Sequence, residues 1–244
     1  MANSAVAFER ARELTEAAWE RLAAETIVFG HQSVGANLLD GVADLLAGRP
    51  GVGLKVAALE SAAGPGLYHA RIGSNGSPET KLADFERLAG EATPGAIVLM
   101  KFCYVDVRGG TKAEALFAAY RETVARIRGH RPDLRIVHVT LPLTVDRGML
   151  FHARTVLRGK TSTRELNSIR GRYNQLLRET FAGEPIFDLA ALESTDASGR
   201  PARVRFGGAD VPVLAREWTY DGGHLNEAGR RRIAESLLSV LAAA

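Results

Sequence analysis

Two short segments near opposite ends of the chain carry residue types suited to acyl transfer. Ser33 stands in segment 30–35 (Gly-His-Gln-Ser-Val-Gly), directly after an apolar run, and Asp221 precedes His224 by three residues in a glycine-rich segment. A carboxylate so placed can receive the proton of one imidazole nitrogen, which leaves the other nitrogen free to act as a base. The residue types predict serine nucleophilic catalysis, with Ser33 as nucleophile, His224 as base and Asp221 as its orienting acid.

Each segment also has a structural alternative. A serine in front of a helix is favoured as an N-cap, because its oxygen accepts a bond from an orphan backbone N–H. The two roles of Ser33 are compatible, since free N–H groups beside it could also stabilise an oxyanion. Likewise, Asp221 could cap a helix while His224 lies on the surface. The presence of both segments in one chain favours the catalytic interpretation.

Strands and helices alternate along the chain in the regions that must position these residues. Apolar runs predict strands at 26–29, 54–59, 96–100, 135–140 and 185–188. Helical periodicity is found at 4–24, 34–47, 79–90, 112–129, 163–181 and 225–243. Continuous apolar strands indicate a sheet that is covered on both faces. The expectation is an α/β fold, a three-layer α/β/α sandwich around a five-stranded parallel sheet.

The same pattern predicts one domain over residues 1–244, with an N-terminal helix within 1–25 packed on it. In an open parallel sheet, ligands bind beyond the carboxyl ends of the strands, which is where Ser33 stands. Three long irregular stretches, 60–78, 142–160 and 194–216, interrupt the pattern. Loops of this length are commonly functional, so we expect the first two to shape a pocket.

Composition narrows the function classes. The 244 residues are 46% hydrophobic and 24% charged, which suits a globular domain. No uncharged run is long enough to span a membrane, so no membrane partner is expected. Charges at Glu9 and Arg10 interrupt the N-terminal apolar stretch, which is unlike a signal peptide, so a cytoplasmic location is expected. Cys103 is the only cysteine, which excludes an internal disulfide and a thiolate metal cluster. Nucleotide-binding and zinc-protease motifs are absent, so no cofactor is expected.

The net charge of +3 is concentrated in one stretch, where a single acid, Glu165, accompanies seven basic residues. These are Arg154, Arg158, Lys160, Arg164, Arg170, Arg172 and Arg178. A solvated helix face and a patch that attracts an anionic substrate both fit this stretch. No nucleic-acid partner is expected, because aromatic residues are not interleaved with the basic ones.

In their order along the chain, these segments resemble the blocks of the SGNH (GDSL-like) hydrolase family. Segment 31–33 stands where that family has Gly-Asp-Ser, although only the serine is kept. Segment 75–77 (Asn-Gly-Ser) resembles the second block, whose glycine N–H binds the oxyanion, and 221–226 matches the Asp-x-x-His block. Thr140-Leu-Pro142 fits the proline loop that is common after strand four. The resemblance implies a flavodoxin-like SGNH fold and a Ser33–His224–Asp221 triad.

Segment 102–106 (Phe-Cys-Tyr-Val-Asp) stands at the family's Gly-x-Asn-Asp block but lacks the oxyanion-binding asparagine. One oxyanion donor is worth on the order of 3 kcal/mol in the barrier. The expected hole therefore uses the N–H groups of Ser33 and Gly76, with Asn75 or Lys101 as the replacement side chain. Lys101 could equally be a surface lysine.

Three further residues are candidates for substrate contact, namely His31, Cys103 and Tyr104. His31 could instead have a structural role, and Cys103 could be a second nucleophile or, as free cysteines usually are, a buried hydrophobic residue.

The resulting prediction is a serine ester hydrolase acting on a small-molecule or carbohydrate ester, with an anionic substrate as one option. An acyltransferase that uses the same triad is the first alternative. A non-catalytic binding module on the same fold is the second. The sequence does not decide the oligomeric state.

Overall fold

Six parallel strands form the central sheet of the protein, whose computed structural model describes residues 14–244. The strands are β1 (Thr26–His31), β2 (Val56–Ala58), β3 (Gly66–Arg71), β4 (Ile97–Met100), β5 (Arg135–Val139) and β6 (Ile186–Phe187). Their order across the sheet is β2-β3-β1-β4-β5-β6, and every neighbouring pair is parallel. The strands that directly follow β1 in the chain lie on one side of it, and β4 to β6 lie on the other side. Open α/β sheets bind ligands in the crevice where the strand order reverses in this way, which here is beside β1.

Helices cover both faces of this sheet because successive strand residues point to opposite sides. The helices are α1 (Glu16–Ala24), α2 (Val34–Ala47), α3 (Pro78–Glu91), α4 (Ala113–His130), α5 (Met149–Leu157), α6 (Thr163–Thr180), α7 (Leu189–Glu193) and α8 (Glu227–Ala243). Ile27 and Phe29 of β1 enter a core shared with α1, α2 and α8, whereas Val28 enters a second core with α3, α4 and α6. The predicted α/β/α sandwich is confirmed.

The predicted number of five strands was wrong, because residues 66–71 form a sixth strand inside the stretch expected to be a loop. The first three residues of this strand, β3, are buried between β1 and β2. Short strands of mixed polarity give no local periodicity, so only the pairing with β1 makes this segment a strand. The strand expected at 54–59 is reduced to three residues at the edge of the sheet.

The other two irregular stretches also contain ordered structure. Helix α5 lies within 142–160, and a hairpin of β7 (Arg203–Phe206) and β8 (Ala209–Pro212) lies within 194–216. The rings of His152 and Phe206 meet edge to face with centroids 5.9 Å apart, which brings α5 against this hairpin. No helix within residues 14–244 has the length and apolar character needed to cross a membrane.

The N-terminal helix begins later than its periodicity predicts. Thr15 has extended backbone geometry and caps the helix by accepting a hydrogen bond from the N–H of Ala18, so α1 starts at Glu16. Positions 14 and 15 of the predicted 4–24 helix are therefore not helical, and positions 4–13 lie outside the described residues. Trp19 and Leu22 of α1 are buried in the core that they share with α8.

Candidate active site

Ser33 occupies the sharp turn between β1 and α2. Its φ of 51° and ψ of −113° make it the sole non-glycine residue with positive φ within residues 14–244. Such a backbone costs about 1–3 kcal/mol and persists where surrounding structure imposes it, commonly at functional sites. Ser33 is the N-cap residue of α2 by position, but its hydroxyl makes no hydrogen bond to that helix, so the capping bond of the structural alternative is not formed. The hydroxyl oxygen is directed elsewhere. It lies 2.6 Å from the Nε2 atom of His224.

His224 and Asp221 share a turn in front of α8. The Nδ1 atom of His224 lies 2.6 Å from Oδ2 of Asp221, and Oδ1 of Asp221 accepts the backbone N–H groups of Gly223 and His224, each at 2.8 Å. Since a carboxylate only accepts, it fixes the imidazole proton on Nδ1 and leaves Nε2 to accept from the Ser33 hydroxyl. The backbone N–H of Leu225 donates to Oδ1 of Asn37 at 3.1 Å, which joins this turn to α2.

The Asp221 carboxylate is strongly stabilised in its charged form. Burial alone would raise the pKa of Asp221, but hydrogen bonds from the backbone N–H and the ring of His224 and from the N–H of Gly223 outweigh it and lower the pKa to about 2. The carboxylate therefore stays ionised throughout the ordinary pH range.

Tyrosine rings flank the imidazole on two sides. Tyr104 meets His224 edge to face with centroids 5.7 Å apart, and Tyr220 stacks on it at 6.1 Å. A Cβ at Gly223 would lie 2.9 Å from the Tyr104 ring, so a glycine is needed for this close approach. Arg170, which is buried, donates to the backbone carbonyl of Tyr104 at 2.8 and 3.3 Å. These contacts restrict the position of the imidazole in front of Ser33.

Gln32 joins the serine turn to the loop after β3. Its side-chain amide donates to the carbonyls of Ile72 at 2.9 Å and Gly73 at 2.5 Å. This role of Gln32 could not be predicted from the sequence, because nothing in its local context distinguishes a buried glutamine that bridges two loops from one on the surface. The contact holds the loop at 72–77 beside Ser33.

Asp106 organises the candidate oxyanion segments. Its carboxylate accepts from the N–H of Gly76 at 2.7 Å, from the N–H of Cys103 at 2.6 Å and from Lys81 Nζ at 2.6 Å, and this ion pair is fully buried. The predicted donor Gly76 N–H therefore already has a partner. Lys81 Nζ also donates to Oδ1 of the exposed Asn75 at 3.1 Å. Within residues 14–244 no hydrogen bond is formed by the Asn75 side-chain N–H₂ group, so that end is available.

Two other candidates lie inside the protein. Lys101 is completely buried, and its Nζ donates to the carbonyl of Phe102 at 3.2 Å and approaches Cys103 Sγ at 3.6 Å. Burial lowers the pKa of Lys101. The expectation that Lys101 could be a surface lysine was wrong. Cys103 is also completely buried, with Sγ 3.6 Å from the carbonyl of Gln32, so its thiol packs behind the serine turn.

His31 is buried at the carboxyl end of β1. Its ring stacks on Phe29 with centroids 5.0 Å apart, and its Nε2 lies 3.2 Å from Nδ1 of His69. Burial, followed by the charges of His69, Lys101 and Arg71, lowers the pKa of His31 to about 3. The ring is thus neutral at ordinary pH and packs beneath α2, which agrees with the structural alternative.

A cleft of about 590 Å³ opens beside Asp221, and neither Ser33 nor His224 is among its lining residues. Its lining includes Tyr104, Asp221 and the neighbouring glycines, together with Arg108 and Arg147. Arg108 and Arg147 are exposed, and sequence reasoning missed both because they lie outside the basic stretch at 154–178. Within residues 14–244 no cluster of His, Cys, Asp and Glu has the grouping that a metal ion would need.

Among known proteins, similarity to this chain is found in three-dimensional structure. Neither a protein-family model nor a curated protein matches the chain. A Streptococcus pneumonia chain described as a candidate platelet activating factor is similar at 16% identity and a TM-score of 0.52, over 94% of this chain and 92% of that one. A lipase/acylhydrolase from Enterococcus faecalis shares 12% identity at a TM-score of 0.49, over 90% and 96% of the two chains. A carbohydrate esterase family 3 structure from Talaromyces cellulolyticus shares 12% identity at 0.48, over 88% and 94%.

The similarity to the Streptococcus pneumonia chain extends over nearly the whole of both chains, so it concerns the complete fold. At 16% identity this similarity establishes architecture alone. The α/β/α architecture agrees with the fold that the resemblance of the sequence blocks led us to expect. What the chain does must be argued from the residues at its site.

Proposed function

We propose that the protein is a serine ester hydrolase that works through a Ser33 acyl-enzyme. The observation that carries the proposal is the unbroken hydrogen-bonded series from Ser33 Oγ through the imidazole of His224 to Asp221, with both links at 2.6 Å. A series in this order activates a hydroxyl for attack on an acyl carbon. A module that only binds has no use for it, and the direct Ser33–His224 contact therefore supports catalysis.

In the proposed reaction His224 Nε2 takes the Ser33 proton as Oγ attacks the ester carbonyl. The imidazolium then gives this proton to the leaving alcohol, and a water molecule activated by the same nitrogen releases the acid. Asp221 stabilises the imidazolium, a role supported by the lowering of its own pKa to about 2. The edge of Tyr104 against the ring holds the imidazole during both steps.

The proposed oxyanion hole has two donors. The first is the N–H of Ser33, which stands at the N-terminus of α2, where the helix dipole favours negative charge. The second is the side-chain N–H₂ group of Asn75. Lys81 holds the oxygen end of that amide, and Gln32 ties the Asn75 loop to the serine turn. Asn75 is preferred over Lys101, which is buried, and over Gly76, whose N–H is bound by Asp106.

The cleft supports a substrate of moderate size with an anionic group. Its volume of about 590 Å³ lies within the range of small-molecule sites. Arg108 and Arg147 line the wall, and neither has a carboxylate partner within residues 14–244. A carbohydrate ester, predicted from the sequence, stays a prediction.

The test uses turnover of p-nitrophenyl acetate together with labelling by a fluorophosphonate probe. Ser33→Ala should abolish both, whereas Ser198→Ala, which removes an exposed hydroxyl far along the chain, should change neither. Asn75→Ala should lower kcat by about 10²–10³ with little effect on labelling of Ser33 by a saturating probe. Full labelling and turnover in Ser33→Ala would refute the proposal. Wild-type turnover in Asn75→Ala would refute the oxyanion assignment alone.

A further inference from the structure

Exposed large apolar residues are confined to one region of the described chain. One lines the cleft, one directly precedes the lining residue Asp221, and the other five lie in α5. The first pair is Val105 and Tyr220, and the five are Met149, Leu150, Phe151, Val156 and Leu157. Scattered exposed apolar residues need no explanation, but a concentration of them beside a cleft marks an interaction surface.

Helix α5 turns its apolar side away from the protein. At 100° per residue, Met149, Leu150, Ala153, Val156 and Leu157 fall within an arc of about 120°. Leu150 is 78% exposed and Leu157 is 86% exposed, and no residue of the helix is buried. A helix that packs on a globular core shows the opposite arrangement. This side of α5, which we call the α5 apolar face, is therefore available to a partner.

Basic residues surround this helix without acidic partners. No Asp or Glu occurs between residues 147 and 162. A cavity of about 430 Å³, formed by α5 and the segments directly before and after it, is lined by four cations that form no ion pair within residues 14–244. They are Arg147, Arg154, Arg158 and Lys160.

The rest of the basic stretch is different, because its members are already engaged. Arg164, Arg172 and Arg178 pair with Asp146, Glu114 and Asp188 respectively. Arg170 is buried and donates to the Tyr104 carbonyl. The unpaired cations are thus those beside the α5 apolar face, where apolar and cationic surface occur together.

This surface continues into the catalytic cleft. Arg147 lines both the cleft and the basic cavity, and its guanidinium lies 5.1 Å from the ring centroid of Phe151. Val105 also lines the cleft, and Tyr220 stacks on the His224 ring. The α5 apolar face, the four cations and the cleft opening form one connected region.

In place of the sequence-based expectation of no membrane partner, we propose that this region docks on the surface of an anionic lipid bilayer. The α5 apolar face would insert at the headgroup boundary, with the four cations against lipid phosphates. Amphipathic helices with basic residues beside an apolar face bind lipid in this way. A second copy of the chain fits poorly, because a two-fold interface would bring the four cations of each copy together with no acid between them. Docking itself is independent of catalysis, but the consequence that the ester enters the cleft from the lipid surface rests on the proposed hydrolase function.

The experiment measures cosedimentation of the full chain carrying Ser33→Ala with vesicles of phosphatidylglycerol and phosphatidylcholine, and with vesicles of phosphatidylcholine alone. We expect binding to the anionic vesicles that weakens with added salt. Leu150→Ser combined with Leu157→Ser should lower the partition coefficient by about tenfold or more. Arg154→Gln combined with Arg158→Gln should lower it by about fivefold for each charge removed.

The control is Arg87→Gln combined with Arg121→Gln, which removes two exposed charges from α3 and α4 and should leave binding within about twofold of the parent. Circular dichroism and sedimentation velocity on each variant establish that it is folded and give its oligomeric state. Equal binding by the leucine variant and the parent, or no binding by the parent, would overturn the proposal. A parent dimer that the leucine substitutions dissociate would assign the face to a second copy instead. Hydrolysis of a short soluble ester by the wild type, tested separately, reports on the proposed function alone.

Discussion

Replacing Asp221 by Asn tests the proposed triad while changing few contacts. In the wild type, Oδ1 of Asp221 accepts two backbone N–H groups and Oδ2 faces His224 Nδ1. An asparagine can keep its oxygen on the two backbone groups and so preserve the turn. Its N–H₂ group would then face Nδ1, and the imidazole proton must move to Nε2. In that tautomer Nε2 donates to Ser33 and can no longer accept the hydroxyl proton.

The size of the effect follows from these contacts. The same change in a buried triad, where it produces the wrong tautomer, costs about 10⁴ in kcat. Here the side chain of Asp221 is 42% exposed, so water screens part of the charge stabilisation, although it does not restore the tautomer. We expect kcat to fall by about 10³–10⁴, which corresponds to about 4–5.5 kcal/mol in the barrier.

The assay compares kcat on p-nitrophenyl acetate, the rate of fluorophosphonate labelling and urea unfolding. Asp210→Asn makes the same chemical change in an exposed aspartate of the β7–β8 hairpin and should leave all three measurements unchanged. Loss of activity with an unchanged unfolding midpoint supports the argument. If Asp221→Asn keeps kcat within tenfold of the wild type, then the tautomer argument and the role of Asp221 are both wrong.

Three further predictions concern the framework behind the site. Gly35→Ala would bring a Cβ to 2.4 Å from the Cβ of His31, and we expect it to lower the free energy of unfolding in urea by about 2 kcal/mol; an unchanged midpoint would contradict this packing. Lys81→Met leaves the buried Asp106 carboxylate without its ion-pair partner and should lower the free energy of unfolding in urea by about 3–5 kcal/mol. An unchanged free energy of unfolding would mean that the pair is not buried in solution. Burial raises the pKa of Glu193 from 4.5 to about 8, so this side chain takes up a proton on folding between these pH values. The contribution of Glu193 to the free energy of unfolding is therefore complete below pH 4.5 and is lost as the pH rises to 8. Unfolding measured from pH 5 to 8 should show this decline in the wild type and not in Glu193→Gln, and equal slopes would refute it.

Much of the fold could be predicted because its elements are locally encoded. The periodicity at 34–47 gave the bounds of α2 as the structure has them, and the apolar run at 135–140 gave β5 to within one residue. β3 could not be predicted in this way. Its six residues mix apolar, aromatic and basic side chains, and they become a strand because β1 supplies a parallel partner along their whole length. Pairing of this kind depends on residues remote in the sequence.

The candidate site also has a part that the local sequence encodes and a part that depends on distant contacts. The types and local spacing of Ser33, Asp221 and His224 identified the three groups, since chemistry of this kind requires those side chains. That Ser33 and His224 meet across 191 positions was decided by the packing of α2 against α8 and by the turn that follows β1. No local pattern fixes such a distance.

The sequence by itself determined the residue types of the proposed triad, the alternation of strands and helices and the absence of an internal disulfide, because each depends on composition or on neighbours within a few residues. The tertiary structure alone decided that Lys101 is buried, that the N–H of Gly76 is bound by Asp106, and that the apolar side of α5 faces outward. Burial and hydrogen-bond partners depend on what the rest of the chain brings to each position. The serine at the turn could therefore be identified from the sequence, whereas the groups that surround it could not.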